Sequence, residues 1–262
     1  MKTTRVGREI EFVFAIGMLL AGGMSARADT VQLNPSKDNT LYEDYTGGTT
    51  SNGQGQHFFV GRIAQDLRRR GLIAFDIAGN IPAGATIESV TLTLHASSNR
   101  GTAEIQIDVH AACEDWGEGA SVGDLEEGRG APAEPGDTTW TDTFYPDQLW
   151  ASEGGEFSPR VTASAAVSAV GFFDWDSSFD PGLATDVQQW LDQPETNFGW
   201  VLVASDEYFQ NSAKRFDSRE NVEPSFWPLL TVTYSLSDGT AAQNAGLVPT
   251  SNATELAEPA AN

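Results

Sequence analysis

The sequence is poor in cysteine and in basic residues. Cys113 is the only cysteine among 262 residues, so no internal disulfide can form and the hydrophobic core must stabilise the fold unaided. The 15 lysines and arginines are outnumbered by 37 aspartates and glutamates, which gives a formal net charge of −22. Such a charge repels nucleic acids and anionic lipids, and we therefore exclude both classes of partner.

Long apolar runs are also missing. The most apolar segment, 12–24, has thirteen residues, whereas a helix needs about twenty to span a bilayer. Basic residues precede this segment, and the small residues Ala26 and Ala28 follow it, which is typical of a secretory signal peptide. We expect residues 1–28 to be removed and the mature protein to be secreted or periplasmic, without insertion into a membrane.

The mature chain divides into one domain and a tail. Residues 237–262 have no aromatic residue and no periodic pattern, so we expect a disordered tail. Residues 29–236 are about the size of one large β-sandwich domain. Segments 88–96 and 103–111 alternate strictly between apolar and polar residues, as strands of antiparallel sheets do. The turn-like sequence SSNRG between them predicts a hairpin.

The other elements complete the predicted fold. Segments 71–77, 198–204 and 228–234 are denser in apolar residues and indicate inner strands. One helix is predicted near 183–192, where Thr185 and Gln188 have the spacing of a capping box. Its apolar face would seal the edge of the sheet layers. The sequence thus predicts an all-β fold, an antiparallel β-sandwich of jelly-roll type with this single helix.

A long segment, 115–157, is rich in glycine and acidic residues and has no periodicity. Loops of this length are uncommon unless they are functional. Its aromatic residues have two interpretations. They either anchor the loop by burying their rings, or they present rings on which the C–H faces of sugars stack. The candidates for sugar binding are Trp140, Tyr145 and Trp150.

The sequence gives no support for catalysis. Residues 119–123 match G-x-S-x-G, but this motif acts as a nucleophile elbow only between a strand and a helix, with its histidine later in the chain. Here all three histidines, His57, His95 and His110, precede Ser121. In a hairpin, His95 and His110 would lie roughly 15–20 Å apart, too far to share a metal ion, and both are predicted to face solvent. We predict that the protein is not an enzyme.

Calcium is the cofactor that the acidic composition favours. Two acidic clusters are candidates, and for each the alternative is an ordinary solvated loop. The first cluster lies beside a flexible glycine-rich segment, and the second resembles a cation loop but lacks the glycine and glutamate of an EF-hand. The candidate ligands are Asp38, Glu43 and Asp44 in the first cluster and Asp174, Asp176 and Asp180 in the second.

Several motifs occur in a fixed order along residues 31–236. They are LRRRGLIAFDI, IPAGATIESVTLTL, DWGEG, GDTTW, LWASEGGEF, DVQQWL, NFGWVLV, KRFDSRE and WPLLTVTY. This succession resembles the DNRLRE-domain family of secreted bacterial and archaeal proteins. The resemblance implies a β-sandwich similar to carbohydrate-binding modules, without catalytic residues. Two functions remain open: a secreted polysaccharide-binding module, supported by calcium, or a structural protein of the cell envelope or biofilm matrix without a small ligand.

The segment AKRFDSREN, 213–221, concentrates basic residues in an acidic chain. It directly precedes the last predicted strand. We interpret Arg219 and Glu220, together with Arg215, as a partly buried salt-bridge clasp beside that strand, because structural ion-pair networks often resemble functional sites.

Overall fold

The computed structural model describes residues 28–45, 47–98, 103–178 and 181–236. Apart from Ala28, the predicted signal peptide 1–28 lies outside these residues, as does the predicted tail 237–262, and both stay predictions. The strands are β1 (Ala28–Leu33), β2 (Lys37–Tyr42), β3 (Thr50–Ser51), β4 (His57–Arg62), β5 (Arg68–Ala74), β6 (Thr86–Ser98), β7 (Ile105–Ala111), β8 (Ala131–Pro132), β9 (Asp142–Phe144), β10 (Gln148–Leu149), β11 (Ala163–Val167), β12 (Gly171–Asp176), β13 (Trp200–Ala204), β14 (Lys214–Asp217) and β15 (Leu229–Ser235). One α-helix, α1 (Gly182–Asp192), and two short 3₁₀ helices, Pro194–Thr196 and Pro224–Phe226, accompany them.

The first sheet layer is built around β6. Strands β12 and β15 both pair antiparallel with residues 91–93 of β6, so they must lie on its opposite edges. β1 adds to the far edge of β15, and β14 pairs with the last residues of β6. Every pairing is antiparallel, as the alternating strand patterns predict.

The second sheet layer is built around β5. Strands β2 and β13 pair with residues 71–73 from opposite edges, and β7 and then β11 extend the layer beyond β13. Strand β4 joins the layers, because its first part pairs with β14 and its last two residues pair with β5. It bends at Gly61, whose φ of 118° suits glycine and where a side chain would approach Ala213 Cα at 2.9 Å.

The hydrophobic core explains which strands carry dense apolar sequence. Between the layers, residues such as Ile73, Trp200 and Leu202 form the main core. Their neighbours in the sequence, Leu72 and Val201, face the other way and pack under the loop 115–157 in a second cluster. Both faces of β5 and β13 are therefore buried, which is why these segments do not alternate. The predicted all-β sandwich fold is confirmed.

The predicted hairpin between 88–96 and 103–111 does not form. Strand β6 pairs with β12, β14 and β15, whereas β7 pairs with β11 and β13 in the other layer. The two strands are consecutive in the chain but contribute to opposite sides of the core. Each strand has one buried face. A hairpin within one layer and a connection between the two layers both bury that face, so the alternating pattern alone could not distinguish these two arrangements.

The predicted helix is present as α1, but its start differs from the prediction. The hydroxyl of Thr185 donates to the Pro181 carbonyl, and Gln188 instead bonds to the backbone of residues 85 and 87. The capping box is therefore absent. Leu183, Val187 and Trp190 are buried in the main core, so the helix closes it beside β6. No helix in the described part of the chain is long and apolar enough to cross a membrane.

Candidate functional site

Trp140 and Trp150, which were candidates for sugar stacking, are buried. Trp140 is 4% exposed and Trp150 5% exposed. The indole of Trp150 donates to the Thr139 carbonyl at 3.0 Å, and both rings belong to the cluster on the outer face of the second layer. This placement contradicts the predicted stacking role, because a sugar needs an accessible ring face. Both side chains instead anchor the long loop. Tyr145 is half-buried, and its role stays a prediction.

The first predicted calcium cluster does not converge. Asp38 lies at the start of β2, whereas Glu43 and Asp44 follow its end, roughly 15–20 Å further along the strand. Glu43 accepts two hydrogen bonds from the guanidinium of Arg68. Asp44 accepts hydrogen bonds from the Gly48 N–H and from a threonine hydroxyl in its own loop. These three carboxylates therefore cannot share one cation.

The second predicted calcium cluster is described only in part. Asp174 and Asp176 are alternate residues of β12 and project on the same side. Asp174 accepts a hydrogen bond from the Thr93 hydroxyl, and Asp176 accepts one from the Ser178 N–H. Asp180 lies outside the described residues. Across the described ranges, no group of three or more acidic, histidine or cysteine side chains is arranged to hold a metal ion. Calcium binding stays a prediction.

Arg219 is the centre of a partly buried carboxylate cluster. Its guanidinium donates to both oxygens of Glu118, at 2.8 and 2.6 Å, and its Nε also lies 2.8 Å from Glu220 Oε1. Its backbone N–H donates to Asp38 Oδ2 at 2.9 Å. The predicted pair of Arg219 and Glu220 is therefore present. The stronger bidentate partner, Glu118, comes from the long loop and had no distinguishing pattern in the sequence.

Three carboxylates around one guanidinium leave an excess of negative charge. Burial, and then repulsion from Glu118, raises the pKa of Glu220 to about 7. Burial and the nearby Glu220 raise the pKa of Asp38 well above its usual value. In addition, Glu220 Oε2 is buried without a hydrogen-bond partner among the described residues. The cluster joins β2, the long loop and the segment before β15, so its first consequence is structural.

Arg215 contributes less to this arrangement than the sequence suggested. Its Nη1 lies 2.9 Å from Glu126 Oε2, and Glu126 is largely exposed. Its Nε donates to the Ser97 hydroxyl at the end of β6. Arg215 therefore links β14 to β6 and to the loop at the surface, but it does not join the cluster around Arg219. An exposed pair of this kind contributes about 0–1 kcal/mol.

The same segment holds a series of contacts between carboxylates and two histidines, which we call the histidine chain. Asp217 Oδ2 lies 2.5 Å from His95 Nδ1, and Asp217 Oδ1 lies 3.4 Å from His57 Nε2. The other ring nitrogen of His57 faces Glu127 Oε2 at 3.2 Å. Burial acts to raise the pKa of Glu127, but hydrogen bonds from His57 and Asn52 outweigh it and leave the pKa below its usual value.

His95 and His110 were predicted to face solvent, and this prediction is wrong. Both are buried, and His95 stacks on Phe226 with a centroid separation of 4.1 Å. His110 Nδ1 lies 2.9 Å from the Ser158 carbonyl. Segments between the strands cover the polar faces of β6 and β7. The histidines on these faces are therefore buried, although their positions in the alternating pattern are polar ones. Alternation predicts which face a residue occupies but not whether a loop covers that face.

An open cleft lies where β4, β5 and the loop after β13 meet. It has a volume of about 210 Å³ and is lined by Glu43, Arg62, Arg68, Glu207 and Tyr208. We call it the tyrosine cleft, because Tyr208 is 88% exposed at its rim. The guanidinium carbon of Arg62 lies 5.8 Å from the centre of the Tyr208 ring. This contact orients the ring by a weak cation–π attraction.

Further exposed aromatic residues flank the turn between β4 and β5. Tyr45 is 77% exposed, and its hydroxyl donates to the Gln65 carbonyl in that turn at 2.5 Å. On the other side, Phe209 is exposed, and the neighbouring Gln210 donates to Asp66 Oδ1. Sequence reasoning missed these residues. The signal was present in SDEYFQNS, where two aromatic residues stand among polar ones outside any strand pattern.

A larger groove of about 410 Å³ lies between α1 and the end of β7. Its deepest polar group, Asp186, is already bonded to Arg160, to the Thr162 hydroxyl and to the Trp200 indole. Its tryptophan, Trp190, is buried and offers no ring face. The buried carboxylate and the buried indole of this groove are therefore both engaged within the protein and are not free to bind a ligand.

Two reactive residue types lie away from these sites. Cys113 is exposed just after β7, where burial and then Glu156 raise the pKa of its thiol and so lower the fraction of nucleophilic thiolate. Ser121 is buried in the long loop, and its Oγ has no hydrogen-bond partner in the described part of the chain. The G-x-S-x-G sequence there follows no strand and leads into no helix.

No protein-family model matches the chain, and no curated protein matches it significantly.

Proposed function

We propose that the protein is a non-catalytic polysaccharide-binding module and that the tyrosine cleft is its binding surface. The observation that carries the proposal is the exposed ring of Tyr208 above paired arginine and glutamate side chains. An aromatic face attracts the C–H groups of a sugar ring, and the charged groups beside it exchange hydrogen bonds with hydroxyls. This combination replaces the buried Trp140 and Trp150 as the contact surface.

The position of the cleft supports an extended ligand. The cleft is open to solvent between strands, and the exposed Tyr45 lies on the far side of the same turn. An open cleft with an exposed ring at its rim suits a polymer that lies across the molecule better than a small molecule that is enclosed. The implied resemblance to secreted DNRLRE-domain proteins agrees with this role, and secretion itself remains part of the proposal.

The proposal is tested by depletion of the purified protein from solution by insoluble polysaccharides. Release of reducing ends is assayed in the same tubes. We expect depletion without sugar release. Tyr208→Ala is expected to weaken binding at least about tenfold without changing stability, because the ring is exposed and makes a hot-spot contact. Tyr145→Ala is the matched control, since this half-buried tyrosine does not line the cleft, and its binding should equal that of the wild type.

The other outcomes distinguish the alternatives. No depletion by any polymer would overturn the proposal and favour a structural role in the envelope or matrix. Release of sugar would show an enzyme instead. Loss of binding with Tyr145→Ala but not Tyr208→Ala would move the site to the long loop. A parallel series with EDTA tests the predicted calcium, which would be shown by loss of binding that added calcium restores.

A further inference from the structure

We infer that the tyrosine cleft selects neutral polysaccharides over acidic ones. This inference rests on the proposed function and deepens it, because it concerns the charge of the ligand at the same site. Three arginines lie in or beside the cleft, Arg62, Arg68 and Arg70, and each has an acidic partner.

Two of these arginines are held in bidentate pairs. Arg68 donates from Nε and Nη2 to the two oxygens of Glu43, at 3.0 and 2.8 Å. Arg70 donates from the same two nitrogens to Glu207, at 2.8 and 2.7 Å. Bidentate pairs of this geometry are the strongest that a guanidinium forms with a carboxylate. The Nε–Nη2 edge of each guanidinium is therefore already occupied by a carboxylate, which also offsets its charge.

The third arginine is also neutralised. Arg62 Nε lies 2.8 Å from Asp66 Oδ1, and Arg62 Nη1 donates to the Glu207 backbone carbonyl at 2.7 Å. The three positive charges are thus matched by the carboxylates of Glu43, Asp66 and Glu207. The whole chain carries a formal charge of −22, so no positive field is left to attract a polyanion.

An acidic sugar gains little at such a surface. To pair with the Nε–Nη2 edge of Arg68 its carboxylate must displace Glu43, which exchanges one ion pair for another and leaves Glu43 unpaired beside a like charge. At the other N–H groups it approaches a guanidinium whose charge Glu43 already offsets. A hydroxyl has no such conflict. It donates to the lone pairs that a paired carboxylate still offers and accepts from the guanidinium N–H groups that the bidentate pair of Arg68 does not use. Hydroxyl-rich, uncharged sugars therefore fit this cleft best.

The test compares two polymers with the same protein. Binding to a neutral glucan and to a polyuronate is measured by affinity electrophoresis at ~0.05 and ~0.5 M sodium chloride, which changes the screening length several-fold. We expect retardation by the glucan that is unchanged by salt and lost in Tyr208→Ala, with no retardation by the polyuronate.

A gain-of-function variant makes the inference falsifiable by a second route. Glu43→Gln keeps the shape of the side chain but removes the charge that neutralises Arg68. It is expected to gain salt-sensitive binding to the polyuronate, whereas Glu88→Gln, an exposed change on β6, is not. Stronger binding of the wild type to the polyuronate than to the glucan would overturn the inference while leaving the proposed function intact. Binding to neither polymer would overturn the inference, and together with no depletion by any polymer of the insoluble panel it would overturn the proposed function as well.

Discussion

The guanidinium of Arg219 donates two hydrogen bonds to the carboxylate of Glu118, which lies 101 residues earlier in the chain. This pair attaches the long loop to the segment before the last strand. Beside this pair lie Glu220 and Asp38, whose pKa values are both raised, first of all by burial.

Replacement of Arg219 by alanine is expected to destabilise the fold. The change leaves three carboxylates without their shared cation. Arg219 is 32% exposed, so the cost should fall between the about 3–5 kcal/mol of a buried pair and the about 0–1 kcal/mol of an exposed one. We expect the melting temperature to fall by about 5–10 °C. Arg129→Ala, at an exposed loop position, is the control. Equal melting temperatures for the two variants would show that the ion pairs of Arg219 do not stabilise the fold.

Glu220 should make stability fall as the pH rises. Its folded-state pKa, about 7, lies above the ordinary value of 4.5, so the folded protein binds more protons than the unfolded chain between these values. The stability that this carboxyl contributes is present below about pH 4.5 and is lost as the pH rises towards 7. Glu220→Gln removes the dependence and keeps the shape of the side chain.

The measurement is urea unfolding of the wild type and Glu220→Gln at about pH 5 and about pH 8. The difference between the two proteins isolates this carboxyl from the other titrating groups. The variant is expected to gain stability relative to the wild type as the pH increases. A difference that is constant or changes in the opposite direction would show that Glu220 is not protonated in the folded protein.

Asp217→Asn is expected to destabilise the protein through the histidine chain. An asparagine retains one acceptor oxygen, whereas Asp217 has two oxygens that face His57 and His95. The neutral amide weakens the charge-assisted hydrogen bond to the buried His95 ring, which costs about 1–3 kcal/mol. The control is Asp174→Asn on β12, where the side chain is exposed and the change should stay within about 0.5 kcal/mol. Equal unfolding midpoints for both variants would contradict this assignment.

Trp150→Ala separates anchoring from binding. The side chain is buried in the cluster under the long loop, so its removal is expected to cost about 3–5 kcal/mol. Leu149→Ala, at the neighbouring exposed position, should change stability by less than about 0.5 kcal/mol. Unfolding is followed by tryptophan fluorescence and circular dichroism. A Trp150→Ala protein that is as stable as the wild type but no longer binds polysaccharide would restore the original prediction for this residue.

The fold class could be predicted because its signals are local. Alternation marked β6 and β7, dense apolar sequence marked β5 and β13, and helical spacing marked α1. Pairing between strands was not predictable in the same way. Whether β6 meets β7 or β15 depends on the energy of the whole core, and the turn chemistry of SSNRG does not determine it.

The candidate site was harder to predict because it depends on which side chains the long loop covers and which it leaves exposed. The sequence indicated that Arg219 and Glu220 pair, since they are neighbours in a chain with few cations. Glu118 could not be chosen among 37 acidic residues without the course of the long loop. Likewise, the sequence alone does not show which of the aromatic residues Trp140 and Tyr208 is buried. Only the packing buries one and exposes the other.

The hydroxyls of Thr30 and Thr233 lie 3.2 Å apart across β1 and β15, although 203 residues separate them in the chain. Strand β15 occupies the gap between β1 and β6 and completes the first layer. Contacts with such long sequence separation form slowly, since the ordering of a long intervening chain precedes them. A nascent chain that has not yet reached residue 229 leaves the edge of β6 open to other strands. The first layer can therefore be completed only after almost all of the described chain has left the ribosome.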